Sequence, residues 1–174
     1  TIFEKKKEKQ NEENIKFNTG SLGMGISKAK GIILGRQVDG NDNRDPVCVI
    51  LGDGELQEGQ IWESMAVNQP EKISSIIAIV DCNGIQSDTW TKKTRNHGSL
   101  DLRCQSYGWG FISVDGHNHQ DLFNAFHKAN ADQSKPYLIE AKTLKGKGIN
   151  FAESTNFDSS LEEYPFHSGV LGLS

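Results

Sequence analysis

The sequence predicts an α/β fold with a parallel sheet flanked by helices, and three observations support this prediction. Apolar β-branched runs alternate with stretches of helical spacing in the order β-α-β-α-β-α-β. Two of these runs, at residues 47–51 and 73–80, are separated by about one helix, which is typical of a right-handed parallel crossover. The chain has 174 residues, enough for one domain with a sizeable core.

Apolar spacing and turn residues place the elements along the chain. Residues 1–17 are charged and poor in apolar side chains, so we expect a flexible or loosely helical lead-in before one domain at 18–174. The polar stretch 84–98 is a long loop of a kind that is often functional inside a compact domain. The other predicted elements are a glycine-rich loop at 19–25, helices at 26–34, 56–69, 99–107 and 119–131, a turn-rich connector at 38–46, and strands at 47–51, 75–81, 109–114 and 137–141.

Polar side chains follow both runs that define the crossover. Asp53 follows the first run in the tripeptide Gly-Asp-Gly, and Asn83 follows the second in the string DCNGI. Parallel neighbours place both tips at the carboxyl edge of the sheet, where open α/β sheets bind ligands. Carboxylate, amide and backbone oxygens suit Mg²⁺ or Ca²⁺, and Mg²⁺ commonly completes its shell with phosphate oxygens and water. Asp53 alone would be read as a turn residue, but together with Asn83 it predicts a metal site.

The same residues carry a resemblance to a known family. A Gly-Asp-Gly tripeptide followed at this spacing by Asn resembles the thiamine-diphosphate-binding motif. The string at 52–64, GDGELQEGQIWES, resembles transketolases, especially the split kind whose cofactor domain is a separate polypeptide. The resemblance implies a PP-type domain that binds thiamine diphosphate and Mg²⁺. It also implies transfer of a two-carbon ketol unit between sugar phosphates.

The resemblance assigns roles at the two strand tips. Asp53 and the Asn83 side chain are the implied metal ligands, together with the main-chain carbonyl of Ile85. Gly52 and Gly54 would let the backbone approach phosphate and metal without a Cβ in the way.

Two further parts of the motif each have two interpretations. Asp81 would orient Asn83 or the cofactor, or it is an ordinary strand-end Asp. The loop at 20–25 has glycines spaced G-x-x-G-x-G and no preceding strand, so it fails the dinucleotide-binding pattern. Gly20 and Leu22 instead match positions that contact the thiamine ring system in transketolases. A plain glycine-rich helix entry is the alternative.

Several charged residues have both a functional and an ordinary interpretation. Glu58 matches an acid at the transketolase dimer interface between cofactor sites, whereas Glu55 is explained by the helix dipole. His167, in YPFHSGV, matches a late family histidine that reaches the diphosphate and the reacting carbon as a donor or proton relay. The family usually continues with Ala-Pro, where this chain has Val170-Leu171.

Other polar residues are expected to be structural. His117 is interpreted as a turn residue. Lys145 and Lys147 either approach the sugar phosphate or are solvated residues of a glycine turn, and the second interpretation is favoured.

The resemblance also implies a partner. In this family a glutamate beside the pyrimidine ring comes from a second, pyrimidine-binding subunit, and nothing in this chain matches it. Family members also carry histidines before the glycine-rich loop, but residues 4–17 contain none. We therefore expect either that upstream sequence is missing or that part of the site has been lost, and that the chain is inactive without a partner.

Three functions stay open at this point. The first is a transketolase-type cofactor-binding subunit. The second is another thiamine-diphosphate enzyme, such as a ketoacid dehydrogenase α subunit or a deoxyxylulose-phosphate synthase, which ELQEGQIWES and His167 fit less well. The third is a non-catalytic protein that keeps the Mg²⁺-diphosphate site.

Composition limits the partners and the cellular compartment that we expect. A formal net charge of −4 argues against nucleic-acid binding driven by bulk charge, and no apolar stretch has the length of a membrane span. The three cysteines form no zinc pattern, and their odd number favours a reducing compartment, the cytoplasm. We expect an oligomer, and neither nucleic acid nor membrane as a partner.

Overall fold

The computed structural model describes residues 2–4, 15–17, 20–41, 44–66, 70–154 and 163–167, with only the backbone at 2–4 and 15–17. Its strands are β1 (Ile2–Glu4), β2 (Ile15–Phe17), β3 (Val47–Gly52), β4 (Ile76–Cys82), β5 (Ile85–Gln86), β6 (Thr89–Trp90), β7 (Gly110–Asp115) and β8 (Tyr137–Lys142). Its α-helices are α1 (Gly25–Val38), α2 (Gly59–Met65), α3 (Thr91–Thr94), α4 (Leu100–Ser106) and α5 (His119–Ala131). Short 3₁₀ helices occur at Gly54–Gln57, Pro70–Ile73 and Asn150–Ala152.

The sheet confirms the predicted parallel arrangement and places the two crossover strands side by side. Its order is β2-β1-β3-β4-β8-β7, with β3, β4, β8 and β7 parallel to one another. The β3–β4 register sets Gly52 opposite Asp81, so both polar tips leave the same edge. The last strand, β8, lies between β4 and β7, and a separate hairpin joins β5 to β6.

Helices cover both faces of the sheet. On one face α1, α2 and α4 bury the larger core, which includes Ile26, Ile61, Cys104 and Val49. On the other face α5 packs on β7, β8 and β4 through Ala125 and Ala129, whereas Phe123 of the same helix is 57% exposed.

Gly25 begins α1 because a side chain has no room there. A Cβ at this position would lie 2.6 Å from Cγ1 of Val49 on β3, so only glycine lets the helix start this close to the strand. The close approach fixes the loop that precedes α1 above the end of β3.

The boundaries of the elements differ from the predictions in several places. Helix α1 runs four residues beyond the predicted end, while α2 is shorter than predicted and follows a 3₁₀ turn. The strands β1 and β2 lie within the predicted lead-in and pair antiparallel at the sheet edge. The residues outside the described ranges include parts of the predicted lead-in, glycine-rich loop and turn-rich connector, and Val170-Leu171. They are residues 1, 5–14, 18–19, 42–43, 67–69, 155–162 and 168–174. No helix in the described ranges is long and apolar enough to cross a membrane.

Candidate active site

A cleft of about 400 Å³ opens at the carboxyl ends of β3 and β4. Every residue that the sequence predicts to hold cofactor or metal lines it, except Gly20, which sits exposed at the start of the glycine-rich loop. The predicted residues lining the cleft are Leu22, Gly52, Asp53, Gly54, Glu58, Asp81, Asn83, Ile85 and His167. The cleft also contains Glu55, Gln57, Gln86 and Ser87, for which the sequence suggested no role in the site, and Lys145, for which a solvated position was favoured over a contact with the sugar phosphate.

Asp53 is the most enclosed acid of the cleft, with 7% of its surface exposed. Its Oδ2 accepts a 2.6 Å hydrogen bond from the Gly84 amide, and its own amide donates to the Asp81 carbonyl at 3.2 Å. Burial raises the pKa of the Asp53 carboxyl, although bonds from the Gly84 and Gly54 amides oppose that rise. The β3 end is therefore bonded directly to the chain that follows β4.

The β4 end is organised by side chains. Asn83 Nδ2 donates to Asp81 Oδ2 at 3.2 Å, and Asn83 Oδ1 accepts from the Ile85 amide at 3.0 Å. Asp81 Oδ1 also accepts from the Thr143 hydroxyl at the end of β8. The Asn83–Asp81 hydrogen bond supports one of the two roles considered for Asp81, that of orienting Asn83.

The glycine-rich loop is tied to the end of β3 by Glu55. Glu55 Oε1 accepts from the Gly23 amide at 2.7 Å, and its Oε2 accepts from the Gly52 amide at 3.3 Å. The loop presents Leu22 to the cleft, with 57% of that residue exposed.

Lys145 and His167 meet at the cleft although they are far apart in sequence. Lys145 Nζ lies 3.1 Å from His167 Nδ1. Because an ammonium group only donates, Nδ1 accepts this bond and the neutral ring carries its proton on Nε2. Tyr164, 2% exposed, anchors the segment: its hydroxyl donates to the Ala152 carbonyl at 2.6 Å and its amide to the Asp88 carbonyl at 2.5 Å.

The predicted long loop at 84–98 folds back onto the cleft. Gln86 Nε2 donates to Gln57 Oε1 at 3.2 Å, and Gln57 Nε2 donates to the Thr94 hydroxyl at 2.7 Å. His97 forms a hydrogen bond to the Asp53 main chain, and burial lowers the pKa of its imidazole. The loop therefore braces the end of β3.

The glycines of the tripeptide differ in what they accommodate. A Cβ at Gly52 would meet nothing within 4 Å, which leaves the backbone open to a close approach by a ligand. At Gly54 a Cβ would lie 2.5 Å from Cβ of Gln86, so packing against the loop already requires a glycine there. Only Gly52 keeps open space of the kind that the phosphate-approach prediction needs.

Sequence analysis assigned no site role to Glu55 and favoured none for Lys145, although the sequence around each contains a feature that could have indicated one. Glu55 lies three residues after Gly52, a spacing at which a carboxylate reaches back to a backbone amide, as in a capping box. Lys145 lies between β8 and Gly146, which has a φ of +75°, and it lines the cleft. The sequence indicated the glycine turn but not its position beside the cleft. His117 is a turn residue in the structure: its amide donates to Asp115 Oδ1 and its Nε2 accepts from the Leu144 amide.

The cleft carries more acid than base. Asp53, Glu55, Glu58 and Asp81 face it, whereas Lys145 supplies the one permanently cationic side chain among the residues lining it. A diphosphate would be repelled by this set unless a divalent cation lay between them. No three His, Cys, Asp or Glu side chains converge as a metal cluster in the described parts of the chain, so a metal here would draw on amide, carbonyl and phosphate oxygens as well. The donor set fits Mg²⁺ with a diphosphate.

Residues 5–163 match the profile of the family described as "Transketolase, thiamine diphosphate binding domain". The chain belongs to this family. The match confirms the resemblance noted from the sequence, and the family's description names the cofactor that the cleft was predicted to bind.

Two curated relatives are named as transketolase subunits. The 6-deoxy-6-sulfo-D-fructose transketolase subunit of Clostridium sp. (strain MSTE9) is 38% identical over 139 residues, which cover 80% of this chain and 50% of the relative. One subunit of the apulose-4-phosphate transketolase of Phocaeicola vulgatus is 31% identical over 139 residues, covering 80% of this chain and 49% of that protein. The chain thus spans about half the length of these relatives.

A solved structure with the same fold is the transketolase of Campylobacter jejuni. It superposes with a TM-score of 0.70 at 28% identity, over 78% of this chain and 22% of that one. The transketolase of Leishmania mexicana superposes with a TM-score of 0.68 at 27% identity, over 78% of this chain and 22% of that one. These likenesses confirm the predicted fold class.

Proposed function

We propose that this chain is the cofactor-binding part of a transketolase, which moves a two-carbon ketol unit between sugar phosphates with thiamine diphosphate and Mg²⁺. The observation that carries the proposal is the acid-lined cleft at the ends of β3 and β4, in a chain of the thiamine-diphosphate-binding family. Because its three cysteines are free thiols, we expect the cytoplasm as the compartment.

The metal would be held by Asp53, Asn83 and the main-chain carbonyl of Ile85. Asp53 supports this role because its carboxylate is enclosed and bonded to the chain that carries the other two. Asn83 Oδ1 already accepts one hydrogen bond, and an amide oxygen has a second lone pair for a cation.

The rest of the cofactor would extend from the metal toward the glycine-rich loop. The open space at Gly52 suits the diphosphate, with Gly54 beside it and Asp81 fixing Asn83. Leu22 lies where an apolar contact to the ring system is available. We also propose that Gly20, which is exposed and does not line the cleft, contacts the ring system.

His167 is the proposed catalytic residue of this chain. Thiamine diphosphate, when bound, supplies the carbanion chemistry of ketol transfer. With Nδ1 occupied by Lys145, His167 offers an Nε2–H donor for an oxygen of the sugar phosphate or the diphosphate. Lys145 adds positive charge for the phosphate groups at the same rim.

A partner subunit would complete the site. Both relatives described above are named as subunits, and this chain offers no match to the glutamate expected beside the pyrimidine ring. Glu58, exposed at the start of α2 and lining the cleft, is the residue we place at that interface.

Titration calorimetry with thiamine diphosphate and MgCl₂ tests the cofactor site. We expect wild type to bind only when Mg²⁺ is present, because the cleft is acidic, and Asp53→Ala to lose binding. Asp39→Ala is the matched control and should bind like wild type, because Asp39 is exposed at the end of α1 that lies away from the glycine-rich loop. Equal affinity in wild type and Asp53→Ala would refute the metal assignment.

The catalytic proposal has a separate test. The chain is co-purified with a candidate pyrimidine-binding subunit, and ketol transfer is assayed from a ketose phosphate to an aldose phosphate. We expect turnover only with both polypeptides, and its loss in His167→Ala. Cofactor binding without turnover for any candidate partner would favour a non-catalytic protein that keeps the site.

A further inference from the structure

Glu55 bridges two segments that each contribute residues to the cleft. One carboxylate oxygen accepts from the Gly23 amide at 2.7 Å and the other from the Gly52 amide at 3.3 Å. The first segment is the glycine-rich loop before α1, and the second is the end of β3. A single side chain therefore links the loop to the strand.

The Gly52 amide finds its acceptor in Glu55. The amides of Val47, the first residue of β3, and of Asp53, which follows its last residue, both donate to the chain of β4 and the residue before it. The alternation of a strand therefore turns the Gly52 amide to the opposite side. On that side β1 pairs no farther along β3 than Val49 within the described residues. Glu55 supplies the acceptor that the sheet does not.

The Gly23 amide is held just as specifically. Gly23 has φ +82°, a conformation that favours glycine, and a Cβ there would lie 3.0 Å from Cβ of Glu58. The loop therefore has little freedom to find another acceptor while it stays packed on the start of α2.

We propose that Glu55 is a positioning residue that sets the width of the cofactor cleft by holding Leu22 at a fixed distance from Asp53. This inference rests on the proposed function, in which these two residues face opposite ends of the cofactor. The role proposed for Glu55 is exerted through the loop, because its two oxygens accept from the backbone amides of Gly23 and Gly52.

Two conservative variants separate the effect of the length of the Glu55 side chain from the effect of its charge. Glu55→Gln keeps the length of the side chain and one carbonyl acceptor for Gly23, whereas Glu55→Asp keeps the charge but falls one methylene short. Glu71→Ala, exposed on a distant 3₁₀ helix, is the control. The readouts are the hydrogen-exchange rate of the Gly23 amide by NMR, the calorimetric Kd for thiamine diphosphate with Mg²⁺, and the melting temperature.

If Glu55 positions the loop, Glu55→Asp raises the Gly23 exchange rate and weakens cofactor binding by about tenfold, the size expected for losing a hydrogen bond to a charged group. Glu55→Gln keeps the Gly23 exchange rate close to wild type, but its amide nitrogen cannot accept from Gly52, so its affinity falls by less than that of Glu55→Asp. Glu71→Ala stays close to wild type in both readouts. The melting temperature, measured beside these readouts, shows whether a lost affinity follows from a general loss of stability.

The opposite order of the two variants would overturn the inference. If Glu55→Asp binds like wild type and Glu55→Gln loses affinity, the charge matters and the bridge does not. An unchanged Gly23 exchange rate in Glu55→Asp would overturn it as well. If wild type binds no cofactor but Glu55→Asp still frees the Gly23 amide, the bridge stands and the proposed function fails.

Discussion

The two tips that form the floor of the cleft are built in different ways. The β3 tip (residues 52–54) holds Asp53 at 7% exposure, with its carboxylate bonded to the backbone amides of Gly84 and Gly54. The β4 tip (residues 81–85) holds Asp81 in the open, bonded to the side chains of Asn83 and Thr143. Backbone donors are fixed by the fold, whereas side-chain donors depend on residue identity and rotamer.

The difference suggests that the two tips have different roles in the proposed binding of the metal. A buried acid with a raised pKa costs stability in the free chain, and such costs concentrate at functional sites. On the proposed function, the β3 tip would offer Asp53 as one rigid ligand. The β4 tip would offer Asn83 on an adjustable arm, in which the side chains of Asp81 and Thr143 set the orientation of the Asn83 amide.

The largest expected effect is at the β3 tip. Asp53→Asn keeps the shape of the side chain but removes its charge, so the Kd for thiamine diphosphate with Mg²⁺ should rise by more than about 100-fold, beyond the range typical of outer-shell partners. Calorimetry at fixed Mg²⁺ measures it, with Asp39→Asn as the control. A change under about tenfold would show that the rigid tip is not the principal ligand.

The same variant should act in the opposite direction on stability. Burial raises the pKa of Asp53 in the folded chain above its unfolded value, so the ionised group lowers stability at neutral pH. This penalty is relieved as pH falls from neutral into the range between the raised pKa and the ordinary carboxyl value. Without metal, Asp53→Asn should thus be at least as stable as wild type at neutral pH, and its advantage should shrink on acidification. Urea unfolding at several pH values measures the difference. A variant clearly less stable at neutral pH would contradict the account of the β3 tip.

An intermediate effect is expected at the β4 tip. Asp81→Asn loses the charge that orients the Asn83 amide and accepts from Thr143, which should weaken Mg²⁺-dependent cofactor binding by about tenfold, within the range for outer-shell partners. Calorimetry on Asp81→Asn and on Asp53→Asn in the same buffer gives the comparison. If the Asp81 variant were the more damaged, the assignment of rigid ligand and adjustable arm would have to be exchanged.

The sequence alone predicts that the two tips lie close together, because their proximity follows from local patterns. Two apolar runs and one helix between them require a parallel crossover, and a parallel crossover puts Asp53 and Asn83 at one edge. The direction of the strands does not depend on side-chain details, so the prediction survived errors of several residues in the helix boundaries.

The contact between Lys145 and His167 could not be predicted from local sequence patterns. It depends on the left-handed turn at Gly146, on the burial of Tyr164 and on the bond from Tyr164 to Ala152, none of which has a periodic signature. The bridge made by Glu55 likewise joins residues 32 positions apart through a loop. Such contacts come from the packing of irregular chain, which apolar spacing does not predict.

The smallest expected effect tests the outermost contact of the adjustable arm. Thr143→Val keeps the β-branched shape at the end of β8 but removes the hydroxyl that donates to Asp81. The loss of one exposed hydrogen bond is worth about 1 kcal/mol or less, so cofactor affinity should fall by roughly fivefold at most. In the Asp81→Asn background the same change should cost almost nothing, because the charged acceptor is already gone. Calorimetry on the single and double variants completes this cycle. A full additional loss in the double variant would show that Thr143 contributes by a route other than Asp81, and that the β4 tip is not one connected arm.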